Sequence, residues 1–185
     1  VIQNGSNYYI AHPKTASVST VRALMEKGWK GVGQDCQSHG PGHHSIYPFP
    51  AGSRCICVVR EPRDWLVSWY HYLGKRNKQP FHEWLPTFRT PLQLNGLEFY
   101  GVPFSTHVIF FSELQEGWNA VMDDLRRPRI ELPHENVSID REKPTASYFE
   151  NSQVRTLYSE RYGDLDRWYQ ALYASKEDDV FLKRL

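Results

Sequence analysis

Lys14 stands in the run His12-Pro13-Lys14-Thr15-Ala16-Ser17-Val18-Ser19-Thr20, which joins one cation to the hydroxyls of Ser17, Ser19 and Thr20. A short apolar run, Tyr8-Tyr9-Ile10-Ala11, precedes it. A helical pattern of Val18, Val21, Leu24 and Met25 follows. The order is strand, polar loop, helix. A loop that delivers the chain to a helix N-terminus offers unpaired backbone N–H groups and the positive end of the helix dipole. That combination binds anions. The expected ligand is a phosphate or a group shaped like one. The loop contains no glycine, so it is not the G-x-x-x-x-G-K-[ST] loop of ordinary ATPases and GTPases.

A second segment carries complementary chemistry. Val58-Val59-Arg60-Glu61-Pro62-Arg63-Asp64 runs on to Ser68-Trp69-Tyr70. Together, the two segments resemble the signature segments of sulfotransferases that use 3′-phosphoadenosine 5′-phosphosulfate (PAPS). The resemblance implies that Lys14, Thr15, Ala16, Ser17, Val18, Ser19 and Thr20 hold the 5′-phosphosulfate. It implies that Arg60 and Ser68 hold the 3′-phosphate. The Pro-Lys-Thr-Ala-Ser form is nearer to the carbohydrate-modifying branch of the family. No G-x-x-G-x-x-K segment of the soluble small-molecule branch is present, and Arg141 and Lys143 are the substitutes expected to cover the nucleotide. The plain alternative for Arg60 is an ion pair with Glu61 or Asp64, and for Ser68 a solvated helix face.

Sulfuryl transfer, like phosphoryl transfer, asks a protein mainly for positioning and charge stabilisation. Lys14 and the loop amides suit the charge that builds on the departing phosphate. No metal is required in principle, because Lys14 supplies the positive charge. A guanidinium suits the 3′-phosphate because its fork reaches two oxygens at once. The acceptor hydroxyl needs a base, and His is the natural one near neutral pH. His39, His43 and His44 are available in one loop, and Gly42-His43-His44-Ser45 resembles the Gly-His-x-Ser of heparan and related carbohydrate sulfotransferases. That resemblance points to His43. His12 is expected to shape the turn. Cys36, His39, His43 and His44 could instead form a zinc site, although their spacing matches no common zinc module.

These residues need a scaffold. Arg54 to Val59 and His107 to Phe111 read as further strands, the first parallel to Tyr8–Ala11 and buried. Helices are expected from Pro62, from Phe81 to Phe88, from Ser112 to Leu125, and as two closing segments, 151–162 and 165–173. Strands alternating with helices predict a single α/β domain over 1–185, P-loop-like and three-layered, with a central parallel sheet flanked by helices. Ligands bind such sheets at the strand C-terminal ends, where both special loops fall. The 185 residues suffice for a real core, and a net charge of +1 gives no bulk attraction to nucleic acid or membrane. Three Cys, with Cys55 and Cys57 on one strand face, predict no disulfide framework. With no signal-like segment and no apolar run near ~20 residues, the expected location is cytoplasmic. The expected partner is a small-molecule or carbohydrate hydroxyl acceptor. A kinase, a non-catalytic nucleotide-binding module and a zinc-binding interaction domain are the rival readings.

Overall fold

The computed structural model describes residues 1–32, 49–74, 78–88, 105–133, 143–176 and 181–183. Among these residues six strands form one sheet: β1 (Ile2–Asn4), β2 (Asn7–Ile10), β3 (Lys30–Gly31), β4 (Arg54–Val59), β5 (His107–Phe110) and β6 (Phe181–Lys183). Their spatial order is β3-β1-β2-β4-β5-β6. The middle strands β2, β4 and β5 run parallel. At the edges, β1, β3 and β6 each run antiparallel to the strand they pair with, so the α/β sheet is mixed. The expectation of a parallel sheet therefore holds for the centre and is corrected at both edges. The β1–β2 hairpin turns at Gly5, whose φ of +62° suits a residue without Cβ.

The parallel strands are buried on both faces, which explains why Cys55-Ile56-Cys57-Val58-Val59 is so continuously apolar. Tyr8, Ile10, Cys55, Cys57, Val59, Val108 and Phe110 face one core. Tyr9, Ile56, Val58 and Ile109 face the other. Among the described residues five α-helices cover these faces: α1 (Ser17–Glu26), α2 (Pro62–Trp69), α3 (Phe81–Thr87), α4 (Leu114–Asp124) and α5 (Ser152–Ala174). Residues of α1 and α4 fill the core around Tyr9 and Ile56, where Trp118 meets Tyr9 edge-on. Residues of α2, α3 and α5 fill the opposite one. Cys55 and Cys57 are buried thiols outside any disulfide, and burial pushes the Cys55 thiol up to about 11. Among the described residues no helix is long and apolar enough to cross a membrane.

Two helical expectations change. The closing segments are one helix, α5, because Val154, Tyr158, Tyr162, Leu165 and Tyr169 make a continuous buried stripe across Gly163. In α1 the buried side includes Ser17, Ser19 and Thr20, while Val18 and Met25 are 53% and 47% exposed. The loop leading into α1 sets that rotation, and its geometry belongs to the site.

Candidate functional site

The His12–Ala16 loop leaves the C-terminal end of β2, and Arg60 follows the C-terminal end of β4. These strands are parallel neighbours, with Ile10 opposite Cys57, so both segments arrive at the same edge of the sheet. This is where open α/β sheets place ligands. Pro62 at the first turn and the Glu61 side chain start α2 there. The Glu61 carboxylate accepts from the N–H groups of Arg63 (3.1 Å) and Asp64 (2.6 Å). Burial holds the Glu61 carboxyl above the usual range despite these donors.

The loop is held in an unusual backbone conformation. Lys14 (φ +66°) and Ala16 (φ +57°) are left-handed, and Thr15 between them is not. Such left-handed residues cost about 1 kcal/mol each unless their surroundings fix them. Three side chains do so. The Thr15 hydroxyl donates to the His12 carbonyl (2.9 Å), the Trp65 indole to the Pro13 carbonyl (3.0 Å), and Arg60 Nη1 to the Lys14 carbonyl (2.8 Å). Consecutive carbonyls are thereby tied to side-chain donors. A backbone whose handedness alternates in this way turns successive N–H groups toward one concavity. Ala16, the N-cap of α1, has no side chain to cap the first turn, and no acidic residue lies in that turn. By contrast, Glu61 caps α2 and Asn151 caps α5.

The hydroxyls of this segment are turned inward. Thr15, Ser17, Ser19 and Thr20 are all buried. Thr20 and Thr15 lie against the hydroxyl of Tyr9, whose pKa burial raises. The Thr15 hydroxyl is spent on the His12 carbonyl, while the buried Thr20 hydroxyl makes no hydrogen bond among the described residues, and the backbone N–H groups and Lys14 lie beside it. His12 is buried and its carbonyl closes the turn, as the sequence suggests.

Arg60 joins the two segments. Besides its bond to the Lys14 carbonyl, its Nε lies 2.6 Å and its Nη2 2.5 Å from Asp64 Oδ2. Its guanidinium also covers the Phe111 ring at 4.1 Å. The ion pair offered as the plain alternative for Arg60 is present, and the same side chain bridges a sequence separation of 46 residues. Asp64 Oδ1 accepts from the Thr145 hydroxyl at 2.8 Å. About two turns further along this helix, His71 Nε2 lies 2.7 Å from the Tyr148 hydroxyl. The 3₁₀ turn Thr145–Phe149 therefore runs beside the α2 face that carries half-buried Ser68. Lys143 is exposed at the start of this covering segment.

Lys14, Arg60 and the α1 N-terminus thus share one edge, with Ser68 along α2. His43, His39, His44, Cys36 and Arg141 lie outside the described residues. Among the described residues no group of His, Cys, Asp or Glu side chains is arranged to hold a metal ion. Trp84 and Phe88 stack at 4.4 Å within the core. Sequence reasoning missed Trp65 and Thr145 as ties of the site, since each contact spans a long sequence separation. Asp64 was visible as the helical i+4 neighbour of Arg60, but its second bond was not. Comparison with protein-family models, curated proteins and solved structures finds no match for this chain.

Proposed function

We propose that the chain is a sulfotransferase that moves a sulfuryl group from PAPS to a hydroxyl acceptor, with a carbohydrate as the favoured class. In this reading the domain is of the P-loop-like, three-layer kind. The observation that carries it is the bond from Arg60 to the Lys14 carbonyl, which makes one surface of the two segments that resemble the family's signatures. The donor supplies an activated S–O bond next to a phosphate. The uncapped first turn of α1 and the Lys14 ammonium hold the 5′ end and meet the charge that develops on the departing phosphate. Arg60 and Ser68 hold the 3′-phosphate, with Arg141 and Lys143 over it. His43 takes the proton of the acceptor hydroxyl as that oxygen bonds to sulfur. The bond from sulfur to the phosphate oxygen breaks, and the products are a sulfate ester and 3′-phosphoadenosine 5′-phosphate. Lys14 does the work that Mg²⁺ does in kinases, so the reaction proceeds without a divalent metal.

Transfer of label from ³⁵S-PAPS to phenol, sterol and oligosaccharide acceptors in the presence of a chelator tests this reading. Label is expected in an acceptor, with the rate falling roughly 100-fold in Lys14→Ala. Phosphoryl transfer from ATP that requires Mg²⁺, with no sulfuryl transfer, would support the kinase reading instead.

A further inference from the structure

The Lys14 ammonium lies 4.3 Å from the centroid of the Tyr72 ring and 6.0 Å from that of Trp69. Tyr72 is 46% exposed, unusual for so large a side chain in this fold. It sits in the π-helical turn Tyr70–Gly74 that continues α2. A π-helical turn shifts the register of side chains around the helix and is common at functional sites. Here Trp69, Tyr70 and Leu73 stay packed against the core while Tyr72 stands outside it. Trp69 meets Tyr72 edge-on, with centroids 5.8 Å apart, and so supports the orientation of its ring. An ammonium over an aromatic face within about 6 Å is attracted by the ring quadrupole, which at an exposed site corresponds to about 2–5-fold in an equilibrium constant.

We propose that Tyr72 is a positioning residue that competes with bound nucleotide for the Lys14 ammonium. The proposal rests on the reading of Lys14 as the cation of the donor's 5′ end. With no donor bound, the ring holds the ammonium beside the anion loop. Donor binding draws it from the ring to the 5′ group. After transfer, the ring draws it back and weakens the hold on 3′-phosphoadenosine 5′-phosphate. Release of product limits the rate of many enzymes, so a device that loosens it favours turnover. Tyr72 need not touch the nucleotide, because it acts through Lys14.

The test is calorimetric titration of 3′-phosphoadenosine 5′-phosphate into the wild type, Tyr72→Phe, Tyr72→Leu, and Tyr72→Leu combined with Lys14→Ala. The last is compared with Lys14→Ala alone. Tyr72→Leu is expected to bind about 2–5-fold more tightly, Tyr72→Phe like the wild type, and the substitution to have no effect once Lys14 is absent. Unchanged or weaker binding in Tyr72→Leu, or equal tightening without Lys14, would overturn the proposal. A second readout needs no nucleotide: acetylation of Lys14 by a limiting reagent, mapped by peptide mass against exposed Lys30 and Lys143. Lys14 should react about 2–5-fold faster in Tyr72→Leu and unchanged in Tyr72→Phe. If no protein binds the nucleotide while labelling accelerates, the donor reading fails and the hold of Tyr72 on Lys14 stands. If labelling does not change, the hold itself is refuted.

Discussion

Arg60 makes contacts that a simple cation cannot. Its side chain and that of Asp64 are only 11% and 22% exposed, and its fork serves both Asp64 and the Lys14 carbonyl. A lysine at this position keeps the charge but not the planar fork. Arg60→Lys is therefore expected to remain folded yet bind 3′-phosphoadenosine 5′-phosphate at least about 10-fold more weakly, about 1.4 kcal/mol. Titration calorimetry with circular dichroism as the folding control checks this, and full affinity would show that the fork is dispensable. The types Lys14 and Arg60 were legible in the sequence because charge and spacing are local properties. The burial of Ser17, Ser19 and Thr20 was not. It follows from two left-handed residues, Lys14 and Ala16, whose conformation depends on donors from Trp65 and Arg60 far along the chain.

At the scale of elements, α5 shows tertiary burial overriding a local breaker. The sequence reads as two helices, 151–162 and 165–173, and the tyrosine stripe on either side of Gly163 makes one. A Cβ at Gly163 would meet Arg167 Nη1 at 3.5 Å and Ser159 Oγ at 3.7 Å, both ordinary contacts. Gly163→Ala should therefore stabilise the protein by roughly 0.5–1 kcal/mol in urea unfolding. A loss of stability would show that the helix needs glycine there. Just past the end of α5, Lys176 reaches the 3₁₀ turn Phe111–Glu113 that follows β5, its ammonium 2.5 Å from both Glu113 oxygens. The hydrogen bond from Lys176 is the main cause holding the Glu113 carboxyl below its usual range. A depressed carboxylate stabilises the fold above its unfolded pKa and loses that contribution as pH falls through its folded pKa. Lys176→Met should accordingly cost about 1 kcal/mol near pH 7 and progressively less below pH 4. A cost that does not vary with pH would assign it to packing against Phe110 and Tyr173 instead.

For the whole molecule, the sequence made the parallel centre of the sheet readable, because β2, β4 and β5 are apolar runs buried on both faces. The edge strands were not readable. β1, β3 and β6 are two or three residues long, too short for a periodic signal, and their pairing comes from the hairpin and from long-range closure. The juxtaposition of the Lys14 and Arg60 segments was predictable in outline, since loops at the C-terminal ends of neighbouring parallel strands must meet. The physical tie between them, from Arg60 to Lys14, was visible only in the fold. In the proposed function this joined surface recognises a nucleotide by phosphates at both its 5′ and 3′ positions. Titration with 3′-phosphoadenosine 5′-phosphate, with adenosine 5′-phosphate as the control and no divalent metal present, tests it most directly. Tight binding of the first is expected, with a loss of at least about 100-fold when the 3′-phosphate is missing, consistent with loss of a charge-assisted Arg contact of roughly 3 kcal/mol. No binding, or equal binding of the two nucleotides, would contradict it.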